Sequence, residues 1–245
     1  MSALNKNNRS PNTTVTCFEE QAPLYDTYQN AVVPHYKTAL EMVGMTVERY
    51  VNKIPKIIDL GCGTGNSSYT ILSSNPKAQF YLIDGSAASL TIALKKISSV
   101  SADALIGSRT ADLLSPDWSA GIDQNSYDAI VSTFVLEHLP PEIYRAVLSR
   151  CCGLLKPGGW LIAVEGYAEK ESDLIEWFEG QMQDNLQNIR DPELADFVSQ
   201  LRSRHEKHYF TSKQERQTWW KQSGLCNVHV VWQYLCIGLM AGQKP

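Results

Sequence analysis

The feature that most constrains the fold of this chain is the stretch at residues 57–66, which reads Ile-Ile-Asp-Leu-Gly-Cys-Gly-Thr-Gly-Asn. Its apolar first half, bounded by proline and glycine, is typical of a buried parallel strand. Gly61, Gly63 and Gly65 predict a sharp turn that leaves no side chain in the way of a ligand. A helix beginning at Asn66 would direct its free backbone amides toward the same place. A strand, a glycine turn and a helix in this order form half of a nucleotide-binding unit.

The spacing of the glycines indicates which nucleotide is bound. A dinucleotide fold has the pattern G-x-G-x-x-G, which seats a pyrophosphate on the helix end. Here the pattern is G-x-G-x-G, and the carboxylate of Asp59, two residues before it, repels a phosphate and suits an ammonium group. The stretch resembles the first motif of the class I S-adenosylmethionine-dependent methyltransferases. That resemblance implies that Asp59, Gly61, Cys62, Gly63 and Asn66 bind the methionine part of the cofactor; a tight turn without a ligand is the alternative.

A second buried strand is predicted at residues 79–84, and it ends at Asp84. A carboxylate at this tip can accept hydrogen bonds from both hydroxyls of a ribose. The same side chain could instead cap the helix that begins near Ser86. Given the glycine loop, we expect Asp84 to bind the ribose, together with Gly85 and Ser86.

Two later segments extend the resemblance. After a weak strand at residues 104–106, the family has a polar residue that bonds the adenine amino group and an apolar residue that touches the ring. Asp112 and Leu113 match this pattern, and a surface-turn aspartate is the alternative. The next predicted strand continues into Thr-Phe-Val-Leu-Glu-His-Leu-Pro at residues 133–140, which resembles the family's fourth motif. The resemblance implies that Thr133 and Phe134 lie beside the methionine part and the sulfonium.

Three residues are candidates for contact with the methyl acceptor. His138 is predicted at the mouth of the site, either in a structural role or as a general base. His208 lies between the fifth strand and the last helix, in an insertion that builds the substrate wall in related enzymes. Tyr25 belongs to a lead-in, Phe-x-x-x-Ala-x-x-Tyr-Asp, that resembles the family's usual N-terminal segment. The alternative for Tyr25 is that it packs the N-terminal helices down.

The predicted fold is α/β, with a Rossmann-like seven-stranded sheet, helices on both faces and an antiparallel last strand. A helical cap would come from the N-terminus and from the insertion after the fifth strand. Residues 1–16, with few apolar side chains, are expected to be a disordered tail, and residues 17–245 a single methyltransferase domain. Within it we predict N-terminal cap helices at 17–55, a cofactor-binding core at 56–166, the insertion at 167–210, and a last helix, capped by Thr211 and Gln214, with a closing hairpin at 211–245.

Composition and charge weigh against several classes of partner without excluding them. The net charge of −4 gives no electrostatic footprint for nucleic acid, so a small-molecule acceptor is expected. The six cysteines show neither a C-x-x-C pair nor metal-ligand spacing, which indicates reduced thiols in a cytoplasmic protein and no metal. A signal peptide and an apolar run of about 18 residues are both missing, so no membrane is expected. The oligomeric state is open, and a dimer is possible.

The expected activity is transfer of a methyl group from S-adenosylmethionine to O, N, S or C of a small molecule by in-line displacement, leaving S-adenosylhomocysteine. One alternative is a carboxy-S-adenosylmethionine synthase, because residues 232–234 and 241–244 are loosely similar to that enzyme's C-terminal strands. Arg202 or Arg204 would then hold the extra carboxylate. Another alternative is a non-catalytic binder of the cofactor that acts through a partner protein. The glycine spacing and Asp59 disfavour a nicotinamide-dependent oxidoreductase.

Overall fold

The computed structural model describes residues 13–168, 172–203 and 209–245 of the chain. Within these ranges the strands are β1 (Lys56–Leu60), β2 (Gln79–Asp84), β3 (Leu105–Thr110), β4 (Tyr127–Thr133), β5 (Leu155–Gly166), β6 (Cys226–Tyr234) and β7 (Ile237–Gln243). They form a seven-stranded sheet with the order β3-β2-β1-β4-β5-β7-β6. The first five strands pair in parallel, and β7 runs antiparallel between β5 and β6, as predicted.

Helices cover both faces of this sheet, which is why the central strands are apolar on both sides. Ile57 and Ile58 of β1 are both fully buried, and they point into two different cores because successive strand residues alternate. The described helices are α1 (Thr13–Val32), α2 (Tyr36–Tyr50), α3 (Asn66–Ser74), α4 (Ala87–Val100), α5 (Pro141–Leu154), α6 (Ser172–Gln187), α7 (Pro192–Ser203) and α8 (Lys213–Gln222). Helices α2, α3 and α4 pack on the first face and α5 and α8 on the second.

The N-terminus and the insertion together form the predicted helical cap. Val32 at the end of α1 is buried against Leu194, Phe197 and Val198 of α7. The ring of Tyr28 meets Phe197 edge-on, with the centroids 5.8 Å apart. The insertion is therefore packed onto α1, and the two segments cover the same end of the sheet. None of the described helices has the length and hydropathy that crossing a bilayer would require.

Some predicted boundaries are corrected by the structure. Helix α1 begins at Thr13, inside the predicted tail at 1–16, because packing of its later turns extends a helix past weak helix formers. Residues 1–12 lie outside the described residues. Within the predicted cap at 17–55, α1 ends at Val32, and His35 at φ 57° separates it from α2.

The cap of α8 is also one residue later than predicted. Ser212, not Thr211, is the N-cap residue: its Oγ accepts a hydrogen bond from the Glu215 amide at 3.3 Å. The Glu215 carboxylate in turn accepts one from the Ser212 amide at 3.1 Å. The backbone of Thr211 is engaged elsewhere, because its carbonyl oxygen accepts a hydrogen bond from the Ala168 amide at 3.0 Å. That bond fixes Thr211 outside the helix.

Candidate active site

A cavity opens beyond the carboxyl ends of β1, β2 and β4, which is where open α/β sheets bind their ligands. It holds about 1030 Å³ of empty space, its open mouth included. All the residues predicted to bind the cofactor line this cavity except Asp59, namely Gly61, Cys62, Gly63, Asn66, Asp84, Gly85, Ser86, Asp112, Leu113, Thr133 and Phe134. The fold thus gathers in one place side chains that are distant in the sequence. We call it the first cavity.

The glycine loop leaves open space at the wall of the first cavity. Gly61, Gly63 and Gly65 have φ values of 69°, 51° and 83°, which residues with a Cβ atom rarely adopt. A Cβ atom at Gly61 would lie 2.5 Å from the side chain of Val135, so that position is closed by packing. A Cβ atom at Gly63 would stand at the cavity wall, 3.9 Å from the nearest atom, which belongs to the Tyr25 ring. The backbone at Gly63 is therefore accessible to a ligand.

Asp84 holds the glycine loop in place and also lines the first cavity. Its carboxylate accepts hydrogen bonds from the Gly63 amide at 2.7 Å and from the Ser86 amide at 2.8 Å. The N-cap of α4 is Ser86, whose Oγ accepts from the Ser89 amide at 3.0 Å. Asp84 is thus not the cap residue. Because each carboxylate oxygen can accept more than one hydrogen bond, Asp84 can hold the loop and bind ribose hydroxyls together.

Asp112 both forms a turn and lines the first cavity, so the structure is compatible with both alternatives from the sequence, a turn aspartate and a contact to adenine. Its Oδ1 accepts a hydrogen bond from the Leu114 amide at 2.9 Å, as a turn aspartate does. Asp112 and Leu113 nevertheless both line the first cavity, and Leu113 belongs to the core below it. The turn therefore positions these residues at the wall, and their contact with adenine stays a prediction.

Asp59 lies behind the glycine loop and not on the cavity wall. Its side chain is 1% exposed and accepts hydrogen bonds from the Oγ of Ser68 at 2.6 Å and from the Ser68 amide at 3.2 Å. Burial raises the pKa of this carboxyl to about 6, although both bonds from Ser68 lower it. The geometry makes Asp59 a positioning residue that joins β1 to α3. Its direct contact with a cofactor stays a prediction.

A polar network that sequence reasoning missed fastens α1 onto the loop. The carboxylate of Asp26 accepts hydrogen bonds from the Thr64 hydroxyl, from Asn66 Nδ2 at 2.8 Å and from Lys96 Nζ at 2.7 Å. Lys96 also donates to Asn66 Oδ1 at 2.6 Å, and Asn66 Nδ2 donates to the Tyr36 hydroxyl at 3.0 Å. The sequence contained Asp26 in its lead-in motif but gave no sign that Lys96, on α4, is its partner. We call Asp26, Asn66 and Lys96 the α1 clasp.

The end of β4 has a strained backbone. Phe134 has φ 57°, which is an outlier for a bulky residue, and its amide donates to the Val164 carbonyl oxygen at 2.9 Å. Its ring stacks on Tyr36 with the centroids 5.8 Å apart. The preceding Thr133 shares a hydrogen bond of 2.8 Å with Ser67 of α3. Such strain persists where the surroundings fix a functional position.

A second cavity adjoins the first and is covered by α1 and α6. It holds about 1280 Å³ of empty space, and Tyr25, Phe134 and His138 line both cavities. Aromatic and aliphatic side chains form most of its remaining wall. The predicted acceptor contacts Tyr25 and His138 therefore lie at the junction. His208 and Arg204 lie outside the described residues, as does the side chain of Arg202.

A buried charged cluster lies beneath the second cavity, and its member Glu137 lines the cavity. Glu137, Glu165 and Arg216 are 3%, 0% and 0% exposed. Arg216 Nε lies 3.7 Å from Glu165 Oε2, and Tyr144 donates its hydroxyl hydrogen to Glu165 Oε1 at 2.8 Å. Arg216 Nη2 donates to the Tyr209 carbonyl oxygen at 2.9 Å. We call these three charged residues the buried charge cluster.

The cluster perturbs Glu137. Burial, and then the neighbouring Glu165 charge, raise the pKa of Glu137 to about 8, although Arg216 opposes the shift. From the sequence, Glu137 was identified only as part of the fourth motif. The sequence gives no sign that Glu165 and Arg216 lie near it in the folded chain. Within the described ranges no group of three His, Cys, Asp or Glu side chains has the arrangement of a metal site.

Comparisons with known proteins agree with this architecture. Residues 58–161 match a family model described as a methyltransferase domain. The chain is 27% identical over 217 residues to carboxy-S-adenosyl-L-methionine synthase of Photorhabdus laumondii, covering 86% of this chain and 82% of that enzyme. It is 31% identical over 128 residues to tRNA N(3)-cytidine methyltransferase METTL2 of Mus musculus, covering 51% of this chain and 32% of that one. The chain spans about half the length of many curated relatives, for instance 57% of the carboxy-S-adenosyl-L-methionine synthase of Erwinia tasmaniensis.

Among solved structures, an O-methyltransferase family protein from Burkholderia thailandensis has the same fold. The two superpose with a TM-score of 0.65 at 17% identity, over 93% of this chain and 61% of that one. The first cavity fits the cofactor of such proteins, because Asp84 offers a carboxylate for hydroxyl groups and Gly63 offers accessible backbone. Residues 58–161 of this chain therefore match a methyltransferase domain, and the fold around them is that of the class I S-adenosylmethionine-dependent methyltransferases.

Proposed function

We propose that the chain is an enzyme that moves the methyl group of S-adenosylmethionine to an oxygen, nitrogen, sulfur or carbon atom of a small molecule. The observation that carries this proposal is the junction of the two cavities. The first cavity holds the predicted cofactor residues, and the second shares Tyr25, Phe134 and His138 with it. An acceptor in the second cavity would meet the cofactor at these three side chains.

The cofactor, when bound, supplies a methyl group on a positively charged sulfur that is already activated for displacement. The chain's main task is orientation, which is worth up to about 7–11 kcal/mol in well-aligned reactions. We assign the backbone at Gly63 to the methionine part, Asp84 to the ribose, and Asp112 with Leu113 to the adenine. His138 lies at the junction, where it can accept a proton from an acceptor that is protonated at working pH.

A small-molecule acceptor is favoured over nucleic acid by the charges of the site. The chain has a net charge of −4, and no Lys or Arg is among the described residues that line either cavity. Binding to a phosphate backbone depends on such side chains. The relatives that act on tRNA share about half of this chain with it, so this choice of acceptor is our proposal and not a property of the family.

The direct test is calorimetry with S-adenosylmethionine and S-adenosylhomocysteine, followed by turnover assays with a panel of small acceptors. We expect both to bind, and we expect S-adenosylhomocysteine to accumulate only when an acceptor is present. Binding without turnover of any acceptor would favour a non-catalytic protein that acts through a partner. A protein that binds neither molecule would contradict the proposal.

A second candidate function is that of a carboxy-S-adenosylmethionine synthase. It is favoured by the long match to the Photorhabdus laumondii enzyme, which covers 86% of this chain. Native mass spectrometry of freshly purified protein separates the two candidates. A bound molecule with the mass of S-adenosylmethionine or S-adenosylhomocysteine supports the first proposal, and one that is heavier by a carboxylate supports the second.

We also place the reaction in the cytoplasm. Cys62, Cys151, Cys152 and Cys226 are thiols that form no disulfide. Burial raises the pKa of the Cys62 and Cys151 thiols, so both stay protonated. Buried, protonated thiols such as Cys62 and Cys151 suit a reducing compartment. Fractionation of the native host would test this assignment.

A further inference from the structure

We propose that the second cavity binds its acceptor through a positively charged amine, and that the carboxylate of Glu137 is the anchor for this amine. The inference rests on the proposed function and names the class of substrate for the same site. It predicts an acceptor with an apolar or aromatic body and an ammonium end.

The first observation is the unsatisfied hydrogen-bonding capacity of the wall. Glu137, Gln29 and Tyr167 line the second cavity, and their buried atoms Glu137 Oε2, Gln29 Oε1 and the Tyr167 hydroxyl have no hydrogen-bond partner in the described part of the chain. Two of these atoms are acceptors by nature, and the hydroxyl can also accept. Buried polar groups without partners are costly, so such a wall favours a ligand that donates several hydrogen bonds. An ammonium group has up to three donors.

The second observation is the charge balance beneath the cavity. The buried charge cluster holds two carboxylates, Glu137 and Glu165, and one guanidinium, Arg216. Arg216 lies beside Glu165, which also accepts the Tyr144 hydrogen bond, and it donates to the Tyr209 carbonyl oxygen. When both carboxylates are ionised the cluster carries one excess negative charge. A ligand cation at Glu137 would balance it, as a proton on Glu137 does without a ligand.

The third observation is the composition of the remaining wall. Aromatic rings from several elements face the second cavity, namely Tyr25, Tyr28, Phe134, Tyr167, Phe178 and Phe210. Faces of such rings attract organic cations. The other titratable carboxylate of the wall, Glu179, is exposed and adds negative charge at the rim. The described wall contains no Lys or Arg, so an anionic acceptor would find no cationic Lys or Arg side chain to pair with there.

The test uses three probes that share one frame and differ in charge: phenethylammonium, phenethyl alcohol and phenylacetate. Calorimetry is carried out at about pH 8 on the full chain saturated with S-adenosylhomocysteine. We expect the ammonium to bind most tightly and the carboxylate least. In Glu137→Gln the ammonium affinity should fall about tenfold or more, as for loss of a buried hydrogen bond to a charged group, while the affinity for S-adenosylhomocysteine stays unchanged.

Glu179→Gln is the matched control, because it removes the same charge from an exposed part of the same wall. Its effect on ammonium affinity should stay below about threefold, since solvent screens exposed charges. Phenylacetate binding as well as the ammonium, or equal losses in the two variants, would overturn the inference. Failure to bind S-adenosylhomocysteine at all would instead overturn the proposed function, so the two failures are distinguishable.

If Glu137→Gln does not fold, proton release on ammonium binding to the wild-type protein tests the role of Glu137 instead. The groups that face Glu137 are Glu165 on β5, Arg216 on α8 and Tyr167 after β5. Because Glu137 binds a proton below about pH 8, the ammonium should displace that proton. Calorimetry in buffers of different ionisation enthalpy at about pH 7 should therefore show proton release. Ammonium binding without proton release would overturn the role of Glu137.

Discussion

At the scale of single residues, Gly63 shows how an absent side chain makes a binding site. Its φ of 51° is unfavourable for any residue with a Cβ atom, and that atom would stand at the wall of the first cavity. Gly121 offers a natural comparison, because it has φ 77° and open space around its own Cβ position. Gly121 does not line either cavity.

We therefore predict different outcomes for Gly63→Ala and Gly121→Ala. Each should lower the free energy of unfolding by about 1–2 kcal/mol, because both force an L-residue into the left-handed region. Only Gly63→Ala should also weaken S-adenosylhomocysteine binding. Urea denaturation and calorimetry measure the two effects separately. Equal affinities in the two variants would show that the cofactor does not approach Gly63.

Glu137 gives a prediction about pH. Its pKa is raised from 4.5 to about 8, so the folded protein holds this proton more tightly than the unfolded chain does. The stability that the neutral form of Glu137 contributes to the folded protein is thus complete below about pH 4.5 and is lost as the pH rises through about 8. As the pH rises through this range, the free energy of unfolding of the wild type should fall by a few kcal/mol relative to that of Glu137→Gln. The expected change is on the order of 1.4 kcal/mol per pKa unit.

Urea denaturation of both proteins without ligand at about pH 5.5 and pH 8.5 measures this difference. Contributions from the other titrating groups largely cancel in the comparison. At the higher pH, Glu137→Gln should be more stable than the wild type. The wild type would then keep a destabilising carboxylate because it binds the acceptor. Parallel pH dependence in the two proteins would contradict the burial of a titrating Glu137.

At the scale of elements, α1 is held over the glycine loop by few polar contacts. The α1 clasp joins this helix to α3 and α4, and the side chains of Asp26 and Lys96 are 36% and 22% exposed. Partly exposed ion pairs contribute about 1 kcal/mol or less each. Helix α1 carries Tyr25, which lines both cavities. Release of this helix from the α1 clasp would move Tyr25 and uncover the junction.

Lys96→Met should accelerate opening of α1, and Lys95→Met is the matched control. Lys95 is the exposed neighbour on α4, so its replacement removes the same charge without touching the clasp. Amide hydrogen exchange in α1 should rise several-fold in Lys96→Met, in line with the loss of about 1 kcal/mol. It should stay at the wild-type rate in Lys95→Met. Faster exchange in both variants would point to a general effect of charge.

At the scale of the whole molecule, the sequence predicted what local patterns determine. The apolar runs predicted the strands, and the glycine spacing predicted the loop, because burial on both faces of the sheet and positive φ leave direct marks in the residue types. Contacts between side chains of different elements could not be predicted in this way, because they leave no pattern in the residue types of either element. Ser68, in the first turn of α3, donates its hydroxyl hydrogen to Asp59, and only the folded chain shows that Asp59 lies behind the cavity wall.

The substrate side was less predictable for the same reason. Arg216, Glu165 and Glu137 come from different elements, and their meeting depends on how α8 packs against β5 and the end of β4. The capping box at Ser212 was placed one residue early because two overlapping patterns were possible, and the backbone bond between Ala168 and Thr211 decides between them. The first cavity is lined largely by short motifs that each follow a strand and can be recognised in the sequence, whereas the buried charge cluster is assembled from single residues of separate elements.

The position of β7 between β5 and β6 has a consequence for biosynthesis. Residues 167–236 separate β5 from β7, so at about 5–20 residues per second the ribosome takes roughly 4–14 s to make them. Throughout that interval β5 is an edge strand without its later neighbour, and its apolar residues between Trp160 and Val164 are available to other nascent chains. The period of greatest risk of aggregation for this protein thus falls after its cofactor site is complete and before its sheet is closed.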